Sequence, residues 1–206
     1  MSRVVHSRSR QGKTQQKHAP PPHWPSHLEY ITEPFCHSSV SAKVHSQLRS
    51  NSMTLAVEAI PHSSRSLTTV RRIIEPSHPA CGQFGLFAAK KIPARSHILD
   101  YIGEVHCDDR PESDYDLSLL RTQSGTSVGV DAQHMGNEAR FVNDYRGIKS
   151  KPNAFFEQRR AADGMLRMSV WSCSEAIKKG DEILVSYGKM WWRARADEPT
   201  DDAFAS

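Results

Sequence analysis

The stretch ARFVNDYRG, residues 139–147, sets two cations, two aromatic rings, an amide and a carboxylate close together. Neither a core strand nor an amphipathic surface helix carries that pattern. The polar Asn143 stands between Val142 and Asp144, directly after the Arg140–Phe141 pair, and asks for a reason other than packing. A second unusual run is GQFGLFA, residues 82–88. Gly82 and Gly85 flank Gln83 and Phe84, and two glycines three apart let the backbone bend sharply and approach a ligand without side-chain obstruction. The competing reading is an ordinary β-turn ahead of an apolar strand. Aromatic residues form the third group. Tyr101 precedes Gly103-Glu104 and Tyr187 precedes Gly188, both at strand ends, where side chains can line the mouth of a channel. Taken singly, Tyr101, Tyr115, Phe155, Phe156, Tyr187, Trp191 and Trp192 read equally as core aromatics.

Other chemistries lack their residues. No HExxH zinc pair, GxGxxG dinucleotide loop or P-loop lysine occurs. His97, His106 and His134 have no partner at metal-ligand spacing, and Cys36, Cys81, Cys107 and Cys173 form no CxxC or CxC pair. Neither a bound metal nor a disulfide framework is expected. The 206 residues, 37% hydrophobic and 24% charged, suffice for one ordinary core plus a tail. No run of 18 apolar residues is present, so no membrane span is expected, and the start of the chain lacks a secretory h-region. The expected setting is intracellular.

Residues 1–66 read as a basic, Ser-, His- and Pro-rich disordered tail. Arg3, Arg8, Arg10, Lys13 and Lys17 occur with no acidic residue up to Leu28, and APPPHWP follows them. Such composition buries too little apolar surface to offset chain entropy. A basic tail of this kind can make weak contacts with nucleic acid or an acidic partner. Its proline run and missing apolar stripe argue against a transit peptide. Only MTLAVEAI within residues 29–66 looks orderable.

From Leu67 the pattern changes to short apolar runs closed by turn signals, which predicts a mainly β domain over residues 67–190, followed by an extension over 191–206. TTVRRIIEP, GLFAAKKI and HILDYIGEV are expected strands, the last two forming a meander through PARS. NAFFEQRR and LRMSVWSC flank Asp163-Gly164, a hairpin signal. Leu166, Met168 and Val170 are expected on one face of the second hairpin strand. Periodicity leaves SDYDLSLLR open between helix and strand, and EILVSYG is expected as a final strand with Ile183, Val185 and Tyr187 on one face.

In order along the chain, CGQFGLFAAKKI, ILDYIGEV, SDYDLSLL, GVDAQHMGNEARFVNDY, KPNAFFE and IKKGDEILVSYG resemble the SET-domain protein lysine methyltransferases. The resemblance runs from about Val70 to Gly188. It implies small curved sheets around a knot-like crossing of the Arg140–Asn143 segment with the segment ending at Tyr187. It further implies S-adenosylmethionine as methyl donor, contacted by Gly82, Gln83, Phe84, Gly85, Arg140, Phe141, Asn143 and Asp144. Tyr187 matches the family's essential tyrosine, and Tyr101, Phe156 and Val185 match positions lining the lysine channel. Phenylalanine at 156, where other members carry tyrosine, implies space for a second or third methyl group. Three departures accompany the match, one being a gap from Asn143 to Pro152-Asn153 longer than is usual in the family. Asn143-Asp144-Tyr145 stands where the family commonly has Asn-His-Ser, putting a negative charge beside the cofactor position, and no cysteine-rich zinc modules flank the domain.

The implied substrate is a histone or another basic protein in the nucleus. Glu104, Asp108, Asp109, Glu112, Asp114 and Asp116 supply carboxylates that suit such a partner, or simply form a solvated loop. The alternative is a catalytically silent SET-like module that binds chromatin or a partner.

Overall fold

A computed structural model of the chain describes residues 19–49 and 67–188. Expectations that fall on residues 1–18, on MTLAVEAI and on Trp191 and Trp192 lie outside these residues. The first described segment forms β1 (Glu29–Tyr30), β2 (Phe35–Cys36) and the helix α1 (Ala42–Arg49). Strands β3 (Thr68–Arg72), β4 (Phe84–Ala88), β5 (His97–Tyr101) and β6 (Glu104–His106) follow. Next come β7 (Asp116–Arg121), β8 (Ser127–Asp131) and β9 (Met135–Gly136). A 3₁₀ turn over Glu138–Phe141 leads into β10 (Asn143–Asp144), and β11 (Ala154–Arg160), β12 (Leu166–Ser172) and β13 (Leu184–Val185) complete the order.

These strands make several small sheets, as the resemblance implies. β2, β6, β8 and β7 pair in that order, β11–β12–β5 form a second sheet, and β3 pairs with β4. Two parallel pairs, β1 with β9 and β10 with β13, join segments far apart in sequence. The register of the second sets Asn143 beside Leu184 and Asp144 beside Val185. The two segments expected to meet thus run side by side.

The hairpin forms as expected. β11 and β12 are antiparallel from Ala154–Ser172 to Arg160–Leu166, and at its turn only Gly164 takes a positive φ, 79°, while Asp163 Oδ1 accepts the Met165 N–H. SDYDLSLLR resolves as strand β7, paired antiparallel to β8.

Three expectations are corrected. The meander of GLFAAKKI and HILDYIGEV does not form, because β4 is occupied on both edges. One edge carries β3, and the other bonds residues 181–183, with Ile183 N–H donating to Leu86 O and Ala88 N–H to Asp181 O. β5 pairs instead with β12. EILVSYG supplies only the short β13, in which Leu184 is buried as fully as Ile183 and Val185, so no solvent face exists for the alternation to mark. β12 is likewise covered on both sides, with Ser169 and Val170 both at 0% exposure.

The third correction concerns the domain boundary. Residues 19–49 belong to the folded domain: Leu28, Val44 and Leu48 lie in the same core cluster as Leu86, Leu99 and Val170. Their polar surroundings hide this, since a handful of apolar anchors suffices when each is fully covered. The core also includes Ile98, Val128, Phe141 and Ile183.

Candidate functional site

The 3₁₀ turn is the device that presents residues 140–143. Asn137 caps it, its Oδ1 accepting the Ala139 N–H at 3.3 Å and the Ile102 N–H at 3.2 Å, while its Nδ2 donates to Asp100 O at 2.8 Å. Arg140 then donates from Nε to Ala132 O at 2.8 Å, and its guanidinium carbon lies 3.9 Å from the Tyr115 ring centroid. Phe141 packs its ring 5.6 Å from Phe84 and 5.3 Å from Trp24. The chain is therefore clamped on both sides of Val142 before it reaches Asn143.

These groups wall a cavity of about 520 Å³. Gln83, Phe84, Arg140 and Phe141 line it, together with Asn143, Asp144 and Tyr187. The glycine run and the Asn–Asp pair, about 60 residues apart along the chain, share this wall. Gly82 and Gly85 stand behind it. Gly82, at φ 85°, turns the chain so that its N–H reaches Ile73 O, and a Cβ on Gly85 would lie 2.7 Å from Glu182 Oε1.

The side chain of Asn143 is held by two acceptors. Its Nδ2 donates to Glu182 Oε1 at 2.8 Å and to Phe84 O at 3.3 Å. Both amide hydrogens are thereby used, and Oδ1 is the part of the side chain able to take a further partner. Asp144 is buried and accepts three donors. Oδ1 takes the Arg146 N–H at 2.9 Å, and Oδ2 takes Arg146 Nη1 and the Tyr187 N–H, each at 2.8 Å. The charge at this position is therefore compensated within the protein.

Tyr187 donates its hydroxyl hydrogen to Val142 O at 2.7 Å. Burial pushes its phenol well above the usual tyrosine range, and the Asp144 carboxylate adds to the rise. It is a neutral hydrogen-bonding group at physiological pH. Tyr101, Phe156 and Val185 do not line the cavity but lie behind it. Tyr101 donates from its hydroxyl to Tyr115 O at 2.8 Å, and Tyr115 is a wall residue. The Phe156 ring meets Tyr101 edge-on at 5.9 Å, and Val185 is fully buried. Burial also raises the Tyr101 phenol strongly.

Wall residues that sequence reasoning missed come from three places, one of them the turn after Asp144 that carries Arg146 and Ile148. Pro25, His27 and Leu28 belong to the segment read as tail, and His78–Ala80 form the loop ahead of the glycine run. The SHPACG spacing marks a turn but carries no sign of which cavity it borders. Among the described residues no group of three or more His, Cys, Asp or Glu could hold a metal ion, and no helix is long and apolar enough to cross a membrane.

A family profile described as SET domain matches residues 83–188. The Histone-lysine N-methyltransferase ASHH3 of Arabidopsis thaliana is 27% identical over 124 residues, covering 57% of this chain and 32% of that protein. The chain thus spans about a third of the length of the curated relative it matches. Among solved structures, the Chaetomium thermophilum Polycomb Repressive Complex 2 bound to GSK126 matches at 23% identity and a TM-score of 0.47, over 65% of this chain and 16% of that one. A humanized mutant of the same complex bound to the inhibitor GSK343 matches at 23% identity and a TM-score of 0.47, over 65% and 15%.

Proposed function

This chain belongs to the SET-domain family, and from that premise we propose that it is a protein lysine methyltransferase using S-adenosylmethionine, with a histone or another basic nuclear protein as substrate. The observation that carries this reading is that Asn143 and Tyr187 share the wall of one cavity of about 520 Å³. That volume falls in the ordinary range for small-molecule sites, roughly 300–1,000 Å³. Its wall combines aromatic rings with a few convergent polar groups, which suits a ligand that is part aromatic and part zwitterion.

Asn143, Arg140, Phe141 and the Gln83–Phe84 backbone would hold the cofactor. When bound, S-adenosylmethionine supplies an electrophilic methyl group on a sulfonium. The chain's own residues do the rest. Asn143 Oδ1 accepts from an ammonium group, its amide hydrogens being engaged by Glu182 and Phe84. Tyr187 donates its hydroxyl hydrogen to Val142 O, and its oxygen would accept a hydrogen bond from the incoming lysine amine. With its phenol pushed above the usual range it orients the amine rather than taking its proton. Lysine must react neutral, although its free pKa is about 10.4. The aromatic wall of Phe84, Tyr115 and Phe141 beside Tyr187 would disfavour the ammonium and help provide that form.

Transfer of labelled methyl from S-adenosylmethionine to core histones, with the Tyr187→Phe variant alongside, tests the proposal. Incorporation by the native chain and a loss on the order of 100-fold in the variant are expected. Cofactor binding without turnover on histones or total cell protein would assign the chain as a silent SET-like binding module instead.

A further inference from the structure

In the cavity wall and directly behind it lies a wired pair, His78 and Glu182, that the methyl-transfer reading does not use. Glu182 and His78 are both more than nine-tenths buried, with His78 Nε2 2.9 Å from Glu182 Oε2. The Ala80 N–H donates to His78 Nδ1 at 3.0 Å, so Nδ1 is an acceptor and the ring proton sits on Nε2, pointing at the carboxylate. The other carboxylate oxygen, Oε1, receives Asn143 Nδ2 at 2.8 Å. A continuous chain, His78 to Glu182 to Asn143, therefore runs from one wall loop to the amide on the facing strand. Two of its three members, His78 and Asn143, line the cavity themselves.

Its placement is built at some cost. Glu182 is a carboxylate in a desolvated position, which is unfavourable unless its oxygens are satisfied. Room for it is made by Gly85, where a Cβ would lie 2.7 Å from Oε1. The second glycine of GQFG thus serves the carboxylate rather than a ligand directly. An asparagine amide can rotate by half a turn with little steric change, exchanging donor for acceptor. The carboxylate removes that freedom, because only Nδ2 can face Oε1. The imidazole N–H does the same for the carboxylate, holding it in the plane in which Oε1 meets the amide.

Resting on the S-adenosylmethionine reading above, we propose that Glu182 and His78 are positioning residues that fix the Asn143 amide with Oδ1 available to the cofactor. They act through Asn143 and touch no reacting atom. Their loss is expected to weaken cofactor capture more than the chemical step.

The test uses the full chain, with Glu182→Gln, His78→Gln and Gly85→Ala as variants. Glutamine at 182 sets an amide N–H against either the His78 N–H or the Asn143 amide, so one link of the chain breaks whichever way it turns. Calorimetric titration with S-adenosylmethionine is expected to show affinity reduced about tenfold or more in each variant, as for a lost hydrogen bond to a charged group. In turnover the KM for the cofactor is expected to rise by a similar factor, with kcat within about twofold of native. The side-chain amide NMR signal of Asn143, recorded without cofactor, is expected to move in each variant. Unchanged affinity in folded Glu182→Gln and His78→Gln, or an equal fall in kcat with KM unchanged, overturns the proposal. So does an Asn143 amide signal that stays in place. Absence of cofactor binding by the native chain refutes the methyltransferase reading instead, and the amide signal still decides whether the chain orients Asn143. Should Glu182→Gln fail to fold, His78→Gln carries the same comparison.

Discussion

The backbone N–H of Tyr187 donates to Asp144 Oδ2 at 2.8 Å, so a residue that departs from the family pattern tethers the proposed catalytic tyrosine. Asp144 also accepts the Arg146 N–H and pairs with its guanidinium. Replacement by histidine, which restores the commoner family residue, removes acceptors from two backbone N–H groups at once. Asp144→His is expected to cost about 1–3 kcal/mol of stability and to lower methyl transfer by loosening Tyr187. Urea midpoints and turnover on core histones check this. Higher activity with unchanged stability would show that the tether is dispensable.

A second prediction concerns acid stability. Burial acts to raise the Asp100 carboxyl. Hydrogen bonds from His97, Arg159 and Ser169, with the Arg159 charge, outweigh it and hold the group well below the usual carboxylate range. The unfolded chain titrates near 3.9, so the folded state binds fewer protons as pH falls past that point. The contribution of Asp100 is therefore complete above about pH 4 and declines below it. Asp100→Asn is expected to lose about 3 kcal/mol at pH 7, as when one partner of a buried pair is removed. It should also show a shallower fall between pH 5 and 3 than the native chain. Parallel stability curves would place the acid sensitivity elsewhere.

Trp24 offers a test of the amino-terminal segment. Its ring packs edge-on against Tyr30 at 4.9 Å and Phe141 at 5.3 Å, and its Nε1 donates to Leu28 O at 2.8 Å. Pro25, His27 and Leu28, which follow it, form part of the cavity wall. Trp24→Ala is expected to destabilise by about 2–3 kcal/mol, somewhat less than a full core aromatic deletion, and to weaken S-adenosylmethionine binding measured by calorimetry. Native affinity in a destabilised variant would mean that the segment props the fold without shaping the site.

Legibility in the sequence depends on whether a signal is local. Asp163-Gly164 announced the β11–β12 hairpin because turn chemistry and flanking strands are contiguous. The glycine run, ARFVNDY and the Tyr187 strand end were legible as dense, odd clusters, and their meeting in one cavity followed the order of the resembling motifs. Leu28, Val44 and Leu48 are not legible as core, because the stretches around them are rich in serine, histidine and proline. The partner of β4 could not be read either. Residues 181–183 reach it from about 95 positions away, and non-local pairing leaves no mark in a short window. Glu182 was passed over for the same reason, lying in a turn-and-strand motif whose carboxylate looks solvated until Gly85 is seen beneath it.

On the methyltransferase reading, Phe156 would set how many methyl groups the site admits. It lies on β11 opposite Val170, with its ring edge-on to Tyr101, whose hydroxyl is committed to Tyr115 O. A tyrosine hydroxyl added at 156 would enter the same aromatic cluster and, being polar and enclosed, would require a partner. An ordered water is the readiest one, and it occupies volume that an additional methyl group needs. Phe156→Tyr is therefore expected to shift products towards monomethyl-lysine with the first transfer reduced by less than about tenfold, which is within what one enclosed polar group costs. Mass spectrometry of a histone substrate over time resolves the three products. A variant that still proceeds to the native degree of methylation would mean that Phe156 does not border the space where the amine reacts.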